Sequence, residues 1–289
     1  MVLPRHVTEA AVVLDEVELL YVPVPKAGST ALLWALLGLA ELESEAFNGS
    51  TKLEVTRALT IHDTTIWGSA HRLASRSDED VAALFESADW LTVTVVREPV
   101  RRIWSAWVSK ILLRDPRFVA AYGGEDWFPD PPLSARQVVA SFRRFVDVLA
   151  DRPEEWHDPH WSSQADLVGS GELDYDVVGR VEEISAVLRV VDTHLRARGR
   201  DGLTLPYANP SLVPFVPEVL DLESWERCAV LTASDKGAFG YEHVPRATAE
   251  PDASWVAEVE GRIPAILAVI ERNERIGDLK QLVRRSRAS

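Results

Sequence analysis

The stretch YVPVPKAGSTALLWALLGLAEL, residues 21–42, passes from β-favouring to helix-favouring residues across one short turn. ELLYVPVP, Glu18 to Pro25, is an apolar run bounded by prolines, which predicts a strand. Ser29 to Glu41 is rich in strong helix formers and is uninterrupted until Gly38. Between them lies Pro25-Lys26-Ala27-Gly28-Ser29-Thr30. A strand that enters a helix through a tight turn aims free backbone N–H groups and the positive end of the helix dipole at one point. Gly28 permits close backbone approach, Lys26 adds a mobile positive charge, and Ser29 and Thr30 offer hydroxyls. The turn from Lys26 through Ala27 and Gly28 to Thr30 is therefore an anion site or, on its own evidence equally well, a plain helix cap.

A second unit of the same kind follows. WLTVTVV, Trp90 to Val96, is apolar nearly throughout and β-branched, as buried parallel strands are. Glu98-Pro99 then opens a helix, with proline in the first turn where its missing N–H costs nothing. Val100, Ile103, Trp104, Trp107, Val108, Ile111 and Leu112 fall on one face of that helix, and Arg101, Ser105 and Ser109 on a ridge beside it. Two strand-turn-helix units in succession predict an α/β fold with a mainly parallel sheet. Arg97 stands at the mouth of the second strand, with Ser105 one helical stretch beyond, a pairing suited to a second phosphate.

Net charge sharpens this. The chain of 289 residues carries −14, which argues against a general nucleic-acid or membrane-surface binder. Yet Arg97, Arg101, Arg102, Lys110, Arg114 and Arg117 face only Glu98 and Asp115 over residues 97–117. A basic island in an acidic chain suits a small anion, although a solvated helix face has the same composition. The single cysteine, Cys228, excludes an internal disulfide framework and a cysteine-based zinc site. The charged start MVLPRHVTEAAVVLDE is unlike a signal peptide, and the apolar run Ala31 to Ala40 is far short of a bilayer span. A soluble, cytoplasmic protein without a membrane span is expected.

Elsewhere, Ser134 to Ala150 predicts an amphipathic helix capped by Ser134, YDVVGR (Tyr175 to Arg180) a strand, and Glu182 to Gly199 a helix. Residues 115–133 and 200–218 are expected as long loops shaping a substrate cleft. Residues 253–287 are expected to be mostly helical, with a kink at Pro264.

Taken together, these segments resemble the sulfotransferases that use 3′-phosphoadenosine 5′-phosphosulfate (PAPS), close to the carbohydrate sulfotransferase family (sulfotransferase family 2-like). PVPKAGST resembles that family's 5′-phosphosulfate loop, and VVREPVRRIWSAW its 3′-phosphate segment, with Arg97, Pro99 and Ser105 in the matching positions. DPHWSSQADL, YDVVGRVEEI and SDKGAFGYE follow in the family's order, so the likeness spans roughly residues 18–242. It implies a P-loop-like three-layer α/β fold, a central mainly parallel sheet flanked by helices, in a single domain over residues 1–289. It also implies PAPS as donor, no metal, and a carbohydrate or small-molecule hydroxyl as acceptor. The animal Golgi members have a membrane anchor and paired cysteines that this sequence lacks.

In that chemistry Lys26 and the turn amides neutralise the leaving phosphate, and a base removes the acceptor's proton. Related 2-O-sulfotransferases carry a base histidine at a similar distance before the Arg-x-Pro segment. His71 is the expected base on that ground, with His62 as the alternative. His160, in DPHWSSQ, is assigned to ordering a loop or touching substrate. Trp67, Trp127, Trp156 and Trp161 are candidates to stack on an acceptor, or else core residues. Two other readings stay open: a phosphotransferase, and a non-catalytic nucleotide-binding protein. The first is disfavoured because the ordinary nucleotide loop places its glycine before Gly-Lys-Ser/Thr and its Mg²⁺ needs an acid where Arg97 stands.

Overall fold

The strand formed by Leu19–Val22 lies directly beside the one formed by Leu91–Val96, so the two strand-turn-helix units open side by side. The computed structural model describes residues 3–40, 42, 57–152, 158–206, 211–247 and 249–288. Within them one sheet has four strands in the order β1 (Val12–Leu14), β2 (Leu19–Val22), β3 (Leu91–Val96) and β4 (Val177–Arg180). β2 runs parallel to β3, with Leu19 opposite Leu91 and Val22 opposite Thr94. β3 runs parallel to β4, with Val93 opposite Val177 and Val96 opposite Arg180. β1 is antiparallel to β2 at the edge, and is too short for its alternation to show in the sequence.

β2 and β3 are buried at every position because both faces of the sheet are covered. Their side chains alternate between two cores. Leu19, Tyr21, Val93 and Val95 pack with Leu32 and Leu36 of the helix Ser29–Leu37 and with Val187 and Val191 of the helix Ile184–Ala197. Leu20, Val22 and Val96 pack on the other side with Val7, Leu73, Val81 and Leu84. The result is the α/β fold with a mainly parallel sheet that the residues predict, in the three layers that the family resemblance implies.

The helix after β3, Pro99–Trp107, begins at Glu98, whose carboxylate accepts from the N–H groups of Val100 and Arg101 at 3.2 and 2.7 Å. Its predicted apolar stripe is wholly buried and forms a third core with Phe142, Phe145 and Val146 of the helix Ala135–Asp151. Trp104 and Trp107 stack edge-on against Phe142 there. Ser134 caps that second helix as predicted, accepting from Gln137 N–H. The C-terminal segment is one helix, Ala253–Ala288, with Pro264 inside it.

The expected loop at residues 115–133 is partly helical, since Pro116–Tyr122 forms two turns. Asp115 accepts from Arg117 N–H as N-cap, and Pro116 occupies the first turn. Those same residues favour loops, which is why composition alone misleads at this point.

Candidate active site

The turn after β2 is held in two left-handed residues, Lys26 at φ 70° and Gly28 at φ 81°. Such alternation turns successive N–H groups toward one point, making a nest for an anion. Glycine is favoured at position 28 on two counts: by its positive φ, and because an added Cβ would stand 3.0 Å from Cγ2 of Val181. Lys26 has no such licence, and a side chain in this region costs roughly 1–2 kcal/mol. Strain of that kind persists where the surroundings impose it.

Two arginines impose it. The Arg97 guanidinium donates to the Lys26 carbonyl at 3.2 Å. Arg102, almost fully buried, donates to the carbonyls of Pro25, Ser162 and Pro159 at 2.9, 2.7 and 2.5 Å. It thereby staples the anion turn to the loop at 159–162. Burial lowers its pKa to about 10, so it stays charged behind the turn at neutral pH. Arg97 is anchored in turn by Gln164, which exchanges two hydrogen bonds with its backbone, both at 2.9 Å.

Lys26 Nζ donates to Ser109 Oγ at 2.8 Å. Ser109 and Lys110 sit in a π-helical turn, Val108–Leu112, closed by bonds from Leu113 N–H to Val108 O (3.0 Å) and Asp115 N–H to Lys110 O (3.2 Å). In a continuous α-helix Lys110 would stand roughly 140° round from Ser105. The wider turn narrows that offset, and both residues line the same cleft. Such turns often occur at functional sites.

The cleft has a volume of about 710 Å³. Lys26, Gly28, Ser29 and Thr30 form its floor, and Ser105, Lys110, Arg117, His62 and His160 its polar walls. Lys110 pairs with Asp115 at 2.8 Å, and Arg117 with Asp158 at 3.1 Å. Burial, then the charges of Lys110, Arg97 and Arg102, lower the Lys26 pKa to about 7. An arriving anion would return the proton that its cationic neighbours expel.

Of the two histidines proposed from sequence, His62 lies in the cleft and His71 does not. Nε2 of His62 is 2.8 Å from Oγ1 of Thr30, and burial, then the charges of His160, Lys110 and Lys26, lower its pKa to about 4. His71 is buried at the sheet edge. Its Nδ1 donates to the Val13 carbonyl at 3.0 Å, its own carbonyl accepts from Val13 N–H, and its ring stands edge-on to Trp67. Its backbone and ring thus brace β1, which the sequence did not disclose.

Ser105 lines the cleft. Arg97 and Ala27 are not part of its lining, Arg97 acting on the turn from behind. Arg101 lies over the Phe215 ring, 5.2 Å from its centre. Trp67, Trp127 and Trp161 are buried core residues, and Trp156 lies outside the described residues. His160, assigned from sequence to ordering a loop or touching substrate, also lines the cleft. Its Nδ1 is 2.5 Å from Asp158 Oδ1, and burial, working against that carboxylate, lowers its pKa to about 4. Arg102, Ser109 and Asp158 escaped assignment because nothing in their spacing shows which loop they bind.

A model of the sulfotransferase family matches residues 9–201, which include the anion turn, the Arg97 segment and β4. The chain belongs to the sulfotransferase family. Human (Homo sapiens) carbohydrate sulfotransferase 8 is 28% identical to this sulfotransferase-family chain over 190 residues, covering 63% of it and 42% of the human protein. The chain thus spans less than half the length of that relative. No solved structure matches it significantly. Among the described residues no group of three or more His, Cys, Asp or Glu side chains could hold a metal ion, and no helix is long and apolar enough to cross a membrane.

Proposed function

We propose that this protein moves a sulfuryl group from PAPS to the hydroxyl of a carbohydrate or small-molecule acceptor. The observation that carries the reading is the placement of two cationic strand ends side by side. The Lys26 turn follows β2, and Arg97 with Ser105 follows β3, its parallel neighbour. That arrangement suits a nucleotide phosphorylated at both its 5′ and 3′ ends. The printed name of the human relative supports a carbohydrate acceptor. A cytoplasmic setting is part of the same proposal.

The residues fit such a donor. The nest at Lys26 and Gly28 offers backbone N–H groups to the 5′-phosphate, with Ser29 and Thr30 as further donors. Ser105, on the cleft wall, serves the 3′-phosphate, and Arg97 supports it from behind the turn, where its guanidinium holds the Lys26 carbonyl. When bound, PAPS supplies the sulfuryl group and departs as adenosine 3′,5′-bisphosphate. As the acceptor oxygen bonds to sulfur, the bond from sulfur to the phosphate oxygen breaks, and that oxygen keeps the electron pair. Lys26, released from Ser109, neutralises the growing charge, and Arg102 adds a fixed positive field from behind. A cleft imidazole takes the acceptor's proton.

Calorimetry tests the donor assignment. A charged, partly desolvated hydrogen bond contributes roughly 1.5–3 kcal/mol, so adenosine 3′,5′-bisphosphate should bind about one to two decades more tightly than AMP without Mg²⁺. Equal affinity for the two nucleotides would overturn the reading and favour a phosphotransferase.

A further inference from the structure

His160 and Asp158 form a pair whose geometry the anion turn does not explain. Asp158 Oδ1 lies 2.5 Å from His160 Nδ1 and 2.9 Å from the His160 backbone N–H. An ionised carboxylate only accepts hydrogen bonds, so Nδ1 must carry the proton and Nε2 must carry the lone pair. Arg117 holds Asp158 from its other oxygen at 3.1 Å, keeping the carboxylate ionised and in place. Phe118 meets the imidazole edge-on, with ring centres 5.8 Å apart, which fixes the ring's plane. Among the described residues no hydrogen bond engages Nε2, and His160 lines the cleft.

His62 differs in the feature that matters. Its Nε2 is already engaged by Thr30, a hydroxyl of the anion turn itself. A hydroxyl can donate or accept, so Thr30 does not dictate which ring nitrogen of His62 bears the proton. The charges of Lys26 and Lys110 act on both imidazoles, so both stand near the cationic floor. Of these two, only His160 has its tautomer set by an acid.

We propose that His160, oriented by Asp158, is the base that takes the acceptor's proton, while His62 orders Thr30 on the donor side. This rests on the sulfotransferase reading above. In the step, the acceptor's O–H bond breaks and its proton passes to His160 Nε2 as the oxygen–sulfur bond forms. The leaving phosphate oxygen takes the electron pair of the broken sulfur–oxygen bond beside Lys26. His160 then returns the proton to solvent. Asp158 balances the imidazolium without being protonated, and is a positioning residue.

The experiment uses the whole chain with adenosine 3′,5′-bisphosphate bound. Long-range proton–nitrogen NMR near neutral pH, with His160 identified by its absence from His160→Gln, should show Nδ1 protonated and Nε2 bare. A proton on Nε2 would overturn the proposal. Turnover is followed as bisphosphate released from PAPS, with mixed methyl glycosides and water as acceptors. His160→Gln should lower kcat by about 10²-fold or more with bisphosphate affinity essentially unchanged. Asp158→Asn should lose roughly tenfold or more by freeing the tautomer. Added imidazole should restore part of the activity of His160→Gly, which a purely structural role does not allow. Near-normal turnover in His160→Gln, or loss of bisphosphate binding without imidazole rescue, sinks the assignment while leaving the sulfotransferase reading intact. If the unmodified chain fails to prefer the bisphosphate over AMP, the reading itself falls and takes this inference with it.

Discussion

Lys26 Nζ donates to Ser109 Oγ at 2.8 Å across 83 residues of sequence, joining the anion turn to the π-helical turn beyond β3. The contact sets the Lys26 amine against the cleft wall. Lys26→Ala should therefore lower sulfate transfer by about 10²-fold or more, with the melting temperature little changed. Near-normal turnover would remove Lys26 from the mechanism.

Because burial and cationic neighbours bring Lys26 to a pKa of about 7, the amine is mostly neutral in the free protein somewhat above that pH. A bound phosphate raises it again. Binding of adenosine 3′,5′-bisphosphate at roughly one pH unit above this pKa should then take up a proton. Calorimetry in buffers of different ionisation enthalpy reads that uptake directly. Lys26→Met should abolish it; uptake that persists in the variant would assign the proton elsewhere.

Gly28 combines a φ of 81° with a Val181 methyl group 3.0 Å from where a Cβ would sit. Gly28→Ala should cost about 1–2 kcal/mol from the left-handed backbone alone and weaken bisphosphate binding. Adding Val181→Ala relieves the contact but not the dihedral, so only part of the loss should return in denaturant titrations. Full recovery would show that sterics, not the backbone, set the demand for glycine.

Arg102 satisfies three carbonyls from two separate loops while nearly fully buried. Arg102→Met leaves those acceptors unpaired and should destabilise the fold by about 1–3 kcal/mol per lost partner at most. Arg102→Lys should rescue little, since one ammonium lacks the planar fork that reaches all three. Thermal melts of both variants check this.

His71 braces β1 through a backbone pair and a ring nitrogen. His71→Ala should lower the melting temperature, by roughly 2 °C for each kcal/mol lost, while kcat stays near its unmodified value. A folded but inactive His71→Ala protein would restore it as a catalytic candidate.

Local chemistry in the sequence determined a good deal of this protein. The runs around Leu20 and Val93, the prolines that bound the first, the Glu98-Pro99 opening and the Ser134 cap each act over a few residues. A reader of the sequence can therefore place β2, β3, their helices and the anion turn between them. The stripe from Val100 to Leu112 is equally legible, because periodicity is a local property. What only the tertiary structure decided is which distant groups meet at the cleft. β1 is too short to show an alternation, so the partner of His71 was hidden, and with it the reason that His71 is kept from the cleft. The sequence places Arg102 within a basic run, but only packing sets its guanidinium against the carbonyls of Pro159 and Ser162. His160 and Asp158 are two residues apart in sequence, yet their pairing becomes chemically directed only because Arg117, Phe118 and the Lys26 turn close around them. Strand and helix identity follow from short-range sterics and burial patterns. The protonation and orientation of a side chain follow from partners that the chain brings together only once it has folded.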